Sequence, residues 1–145
     1  MNPLLVGETN PYGADPHFAL YPEPRGCAGW RLCVPILGLA PDVYLARFDR
    51  ANLLATGSWS EPAARRAASA LAATGDERRM FVLLGAKVTA AFQPHFATTL
   101  IPFQRYFLGR RPVVVLPHPS GRCRVWGQKP DAVARARALV LEGCS

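Results

Sequence analysis

The sequence predicts an α/β fold, a three-layer α/β/α sandwich around a central, mainly parallel four-stranded sheet. Three observations carry this expectation. Short apolar runs at Leu4-Leu5-Val6, Phe81-Val82-Leu83-Leu84 and Val113-Val114-Val115-Leu116 each end in Gly or Pro, as strands buried on both faces do. Helix-like segments stand between them, and such alternation places helices above and below a parallel sheet. The chain has 145 residues, 50% of them hydrophobic and 19% charged. That suffices for one core burying about 70% of the unfolded surface and leaves no room for a second catalytic domain.

Taken in order, the first strand is Leu4-Leu5-Val6, closed by Gly7. A helix-like segment over 26–38 follows a Pro/Gly-rich loop, and Pro35 should kink or shorten it. A further strand is expected around 50–54. Ser60 offers an N-cap with Pro62 in the first turn, and the Ala/Arg helix behind it should run to about Ala73, stopping at Thr74-Gly75-Asp76. The run Phe81-Val82-Leu83-Leu84 leads directly into a helix over 85–92. Residues 94–111 break the pattern, and their Pro, Phe, Tyr and Arg content fits an irregular segment or a short extra strand approaching the last one. An amphipathic helix over 131–142 closes the chain, with Val133, Ala136, Leu139 and Val140 inward and Arg135 and Arg137 outward. No repeat, low-complexity tract or linker divides residues 1–145, so a single domain is expected.

Composition excludes several classes. The chain is too apolar for disorder and lacks the uncharged apolar run of about 20 residues that a membrane span needs, so no membrane partner is expected. The first residues carry no basic segment ahead of a long apolar stretch, which points to a cytoplasmic protein rather than an exported one. Cys27, Cys33, Cys123 and Cys144 match no zinc, iron–sulfur or C-x-x-C spacing and read as free thiols packed as small hydrophobes. The net charge is +7, and residues 105–137 hold eight basic side chains against the single acid Asp131. A basic third of this kind suggests a polyanion, because cations that neutralise phosphates release condensed counterions.

In open parallel sheets ligands bind beyond the carboxyl ends of the strands. Two polar loops lie there. Gly7-Glu8-Thr9-Asn10-Pro11-Tyr12-Gly13 follows the first strand, and Pro117-His118-Pro119-Ser120-Gly121-Arg122-Cys123-Arg124 follows the last. Together they resemble the active-site motifs of the uracil-DNA glycosylase superfamily, a Gly shortly before Asp-Pro or Asn-Pro and a His-Pro-Ser before a loop that enters DNA. Phe18-Ala19-Leu20-Tyr21-Pro22 is similar to the segment holding the base-stacking aromatic, Asn52 to a base-reading Asn, and Leu83-Leu84-Gly85-Ala86-Lys87 to the third-strand Gly pattern.

The resemblance implies a uracil-DNA glycosylase-like fold and a monofunctional DNA N-glycosylase that acts on a flipped-out uracil-like or modified base. Cleaving an N-glycosidic bond requires stabilising negative charge on the leaving base and holding a water behind the sugar carbon. His118 is the implied donor to a base carbonyl. Asn10 would orient the water, although unlike Asp it takes up no proton at neutral pH. Glu8, or else Asp15, is an alternative base. Tyr21 or Phe18 would stack on the extruded base, Tyr12 would shape the pocket mouth, and Asn52 would read a Watson–Crick edge. Ser120, Gly121, Arg122 and Arg124 would meet the DNA, with Arg122 in the place of an inserting wedge and Arg124 on a phosphate. A charged wedge leaves open whether this loop inserts or clamps the backbone.

No cofactor or metal is implied, since the iron–sulfur cysteines of some branches have no counterpart. The expected partner is DNA, duplex or single-stranded, bound by a monomer. Two other readings stand beside this one. The chain would be a catalytically weak or inactive nucleic-acid-binding protein of glycosylase fold, or an unrelated α/β enzyme holding a phosphorylated small molecule between the same loops.

Overall fold

A computed structural model describes residues 1–10, 13, 15–55 and 58–142. Tyr12, expected at the pocket mouth, and Cys144 lie outside them. The elements are β1 (Leu4–Gly7), α1 (Ala28–Arg31), α2 (Pro41–Arg47), β2 (Asp49–Asn52), α3 (Glu61–Ala72), β3 (Phe81–Leu84), α4 (Ala86–Phe92), β4 (Gln104–Leu108), β5 (Arg111–Leu116), α5 (Val125–Gln128) and α6 (Ala132–Val140).

The sheet has five strands, not four, in the order β2-β1-β3-β5-β4. The additional strand is β4, inside the segment 94–111, so the short-strand alternative is the one observed. It pairs antiparallel with β5 from Gln104↔Val115 to Leu108↔Arg111, and the two-residue loop between them starts at Gly109 with φ +62°, as a hairpin turn requires. The other neighbours are parallel. An antiparallel edge of mixed polarity carries no continuous apolar run, which is why the pattern of the buried strands does not extend to it.

Alternate side chains of the strands enter two cores. Leu5, Val82, Leu84, Val114 and Leu116 pack with Leu32, Ile36, Tyr44, Phe48, Ala136 and Val140 on one face. Leu4, Val6, Phe81, Leu83, Val113 and Val115 pack with Ala64, Ala68, Val88 and Phe92 on the other. Helices therefore cover both faces, and the central strands are buried throughout. Burying each large apolar side chain stabilises the fold by about 1.5–3 kcal/mol.

The helix expected over 26–38 splits into α1 and a wider π-type turn, Leu32–Ile36, that contains Pro35. Proline has no N–H to donate, which interrupts the ladder of this turn, and at its end Arg137 of α6 donates to the Ile36 carbonyl at 2.8 Å and the Pro35 carbonyl at 3.3 Å. α3 begins as expected, with Ser60 Oγ accepting from the Ala63 N–H at 3.3 Å. α2 was not anticipated, although Pro41 at its first position and Asp42 in its first turn are start signals.

After β1 the chain builds β2 on one side and then returns past β1 to place β3 on the other. The strand order thus reverses between β1 and β3, and the crevice beyond their carboxyl ends is where ligands of such sheets bind.

Candidate active site at the carboxyl ends of the strands

The loops leaving β1 and β2 are laced together. Leu53 N donates to the Gly7 carbonyl at 3.0 Å, Leu54 N to the Glu8 carbonyl at 3.1 Å, and Asn10 N to the Ala55 carbonyl at 3.4 Å. Gly7 and Asn52 are register partners. A Cβ on Gly7 would sit 2.5 Å from Asn52 Oδ1, so the glycine is what lets this carboxamide lie over the end of β1. Asn10 is 6% exposed, and its Nδ2 donates to the Asp15 carbonyl at 3.1 Å.

Beyond β3 the chain turns at Gly85 with φ +96°, a conformation that side chains disfavour. A Cβ there would lie 3.1 Å from His118 Cβ and Cδ2 and 3.4 Å from Glu8 Oε2. The missing side chain allows the loops after β1, β3 and β5 to converge. His118 Nε2 and Glu8 Oε2 are 3.8 Å apart, and both side chains are partly exposed. The Ser120 N–H donates to His118 Nδ1 at 3.2 Å, and Trp126 Nε1 donates to the His118 carbonyl at 3.0 Å. An Nδ1 that accepts a hydrogen bond leaves the proton of the neutral ring on Nε2, so the ring presents a donor toward the crevice.

The aromatic segment lies against β2. Phe18 and Tyr21 meet edge to face at 5.5 Å, with His17 5.2 and 5.1 Å from them. Arg50 holds this segment by donating to the His17 and Ala19 carbonyls, both at 2.9 Å, and its guanidinium lies 5.6 Å from the Tyr21 ring centre. Leu20 adopts φ +50°, and its carbonyl accepts from Tyr44 Oη at 2.8 Å. Burial pushes that hydroxyl well above the ordinary tyrosine range, so it remains a donor. Arg50 was missed by sequence reasoning. A long cation on a short strand beside a Pro-rich aromatic loop was the available signal.

The loop after β5 separates two cavities. One of about 970 Å³ opens on the α3–α4 side and is lined by Trp59, Lys87, Pro117, His118 and Cys123 among others. The other, about 410 Å³, opens on the α1–α6 side and is lined by Arg31, Ser120, Gly121, Cys123 and Arg124 among others. Neither is lined by Glu8, Asn10, Phe18, Tyr21, Asn52 or Arg122. The structure therefore joins Glu8 to His118, Asn52 to the β1 end, and Phe18 to Tyr21. His118 also faces the larger cavity, which its motif did not foretell.

The basic side chains of 105–137 fall into two groups. Arg105 donates to the Leu139 carbonyl, Arg111 to those of Arg79, Ala72 and Thr74, Arg135 to Phe103 and Arg137 to Ile36 and Pro35. Arg110 pairs with Glu77 at 3.7 Å. Arg135 and Arg137 of the closing helix are exposed, as expected, yet their donors serve the fold. Among the described residues, Arg122 and Arg124 have no carboxylate within 4.0 Å.

Cys33 is buried, whereas Cys27 and Cys123 are half-buried free thiols. Cys27 caps α1, its Sγ accepting from the Trp30 N–H at 3.4 Å. Among the described residues no group of three His, Cys, Asp or Glu is placed to hold a metal ion, and no helix is long and apolar enough to cross a membrane. Neither the models of known protein families nor the curated proteins match this chain.

Proposed function

We propose that the protein is a monofunctional DNA N-glycosylase that removes a flipped-out uracil-like or otherwise modified base, working as a cytoplasmic monomer without a cofactor. The observation that carries this reading is the His118 ring, held through Nδ1 by the Ser120 N–H with Nε2 3.8 Å from Glu8. From the end of β5 the ring lies against Gly85 and near Glu8, beside the point where the strand order reverses, and the loop motifs resemble those of the uracil-DNA glycosylase superfamily.

In the reaction the C1′–N bond breaks and its electron pair leaves with the base. The His118 Nε2–H donates to the base carbonyl on which that charge gathers. A water oriented by Asn10 bonds through its oxygen to C1′, and its proton passes to the Glu8 carboxylate or to solvent. Phe18 or Tyr21 stacks on the extruded base, and Asn52 meets its polar edge. Ser120, Gly121, Arg122 and Arg124 lie against the DNA backbone.

The test is direct. Duplex and single-stranded oligonucleotides carrying uracil, hypoxanthine, xanthine or hydroxymethylated pyrimidines are incubated with the protein and treated with alkali to cleave abasic sites. Scission at one or more of these bases is expected. No scission on any substrate, with salt-sensitive DNA binding retained, overturns hydrolysis and leaves a binding protein. That second reading draws on Asn10, which offers no carboxylate for the water.

A further inference from the structure

The 410 Å³ cavity is lined by two arginines from distant parts of the chain, Arg31 at the end of α1 and Arg124 after β5. Among the described residues neither has a carboxylate within 4.0 Å. Arg31 Nε donates to the Gly26 carbonyl at 3.0 Å, which orients the group and leaves its remaining N–H donors for another acceptor. The guanidinium lies across Gly121, where a Cβ would be 2.9 Å from Nη2 and 3.0 Å from Cζ. Ser120 and Gln128 add neutral polar groups to the same wall. Two like charges facing one concavity repel each other, and an anion between them turns that repulsion into attraction.

We infer that this cavity binds a phosphate oxyanion held between Arg31 and Arg124. The planar fork of donors on each guanidinium matches phosphate oxygens. Arg31 thereby acquires a role that the loop motif does not contain, and Gly121 is needed so that Arg31 can cross the loop. The phosphate belongs either to a DNA backbone or to a phosphorylated small molecule. The first source rests on the DNA reading above, whereas phosphate affinity itself does not.

Binding of labelled duplex DNA by the full chain is measured across a salt series for the unaltered protein, Arg31→Ala, Arg124→Ala, the double variant and Gly121→Ala. In parallel, thermal unfolding is followed with and without inorganic phosphate at constant ionic strength. If both arginines hold one backbone phosphate, each single variant weakens binding and makes the slope of log K against log salt shallower by less than about 0.9, and the double variant makes it shallower by about 0.9. Gly121→Ala, which changes no charge and displaces Arg31, reproduces the Arg31→Ala effect. Stabilisation by inorganic phosphate that the double variant loses, with the DNA slope unchanged, supports the site and identifies a small phosphorylated ligand. Unchanged slopes together with no phosphate-dependent stabilisation overturn the proposal. Arg124→Ala guards against misfolding, since among the described residues its side chain makes no hydrogen bond or ion pair. Base removal is not read, so a chain inactive on every modified base still passes or fails on binding alone.

Discussion

At the amino end of the parallel strands, arginines close the structure; at the carboxyl end, glycines open it. Arg111 is 2% exposed, stacks 3.9 Å from the Phe81 ring centre and donates to three carbonyls, and Arg79 donates to the Asn2 carbonyl at 2.9 Å while pairing with Asp49. Burial draws the Arg111 guanidinium below its ordinary range, with the Arg79 charge adding to the effect. At the other end Gly7 and Gly85 let Asn52, Glu8 and His118 approach. The same ladder of strands therefore ends in satisfied donors on one side and in donors facing a crevice on the other. Satisfied arginine donors are concentrated at the first end, and the groups of the proposed site lie at the second.

Substitutions that act on only one end sharpen this contrast. The largest expected effect is on the proposed base removal. His118→Ala should lower base removal by about 10²–10³-fold, equivalent to about 2.7–4 kcal/mol of transition-state stabilisation, with the denaturation midpoint unchanged. Single-turnover abasic-site assays read the first quantity and urea titration the second, and equal loss of DNA affinity would break the assignment.

At the opposite end, Arg111→Met should destabilise the fold by about 1.5–3 kcal/mol, because the carbonyls of Arg79, Ala72 and Thr74 lose the charged donor that a buried side chain supplies. Urea unfolding should show this while the salt dependence of DNA binding stays as it was. Gly85→Ala sits between the two. Forcing a side chain to positive φ against His118 should cost about 1–3 kcal/mol of stability and lower base removal as well, making it the variant that affects both measurements.

The smallest effect is with pH. Burial pushes the Cys33 thiol from 9.0 to about 11. The folded state thus holds this proton more tightly than the unfolded one. The resulting stability is fully present below pH 9.0 and disappears as pH rises through about 11. Urea midpoints across that interval should fall more steeply for the unaltered protein than for Cys33→Ala.

Much of the fold was legible because its central strands are buried on both faces and so read as unbroken apolar runs. α3 was legible from Ser60 and Pro62, whose chemistry is local. β4 was only half legible: Gln104-Arg105-Tyr106-Phe107-Leu108 is an edge strand whose partner, β5, supplies the reason for its conformation. The two polar loops could be found because each directly follows an apolar run. That Glu8 meets His118 could not, since β3 stands between their strands and the contact passes over Gly85. The arginines were the least legible. Arg111, Arg135 and Arg137 look like Arg122 and Arg124 in a charge count, and only the position of nearby carbonyls separates them.

By itself, then, the sequence determined the central strands, the start of α3 and which polar loops follow β1 and β5, because burial periodicity and capping act over a few residues. The tertiary structure decided the fifth strand, the hydrogen bond from Ser120 N–H to His118 Nδ1, the place of Arg31 and Arg124 in the lining of one cavity, and, among the described residues, which arginines have no carboxylate nearby. Apart from the Ser120 hydrogen bond, those features depend on groups far apart in the chain, and their hydrogen bonds and charge contacts exist only once the strand order has brought the groups together.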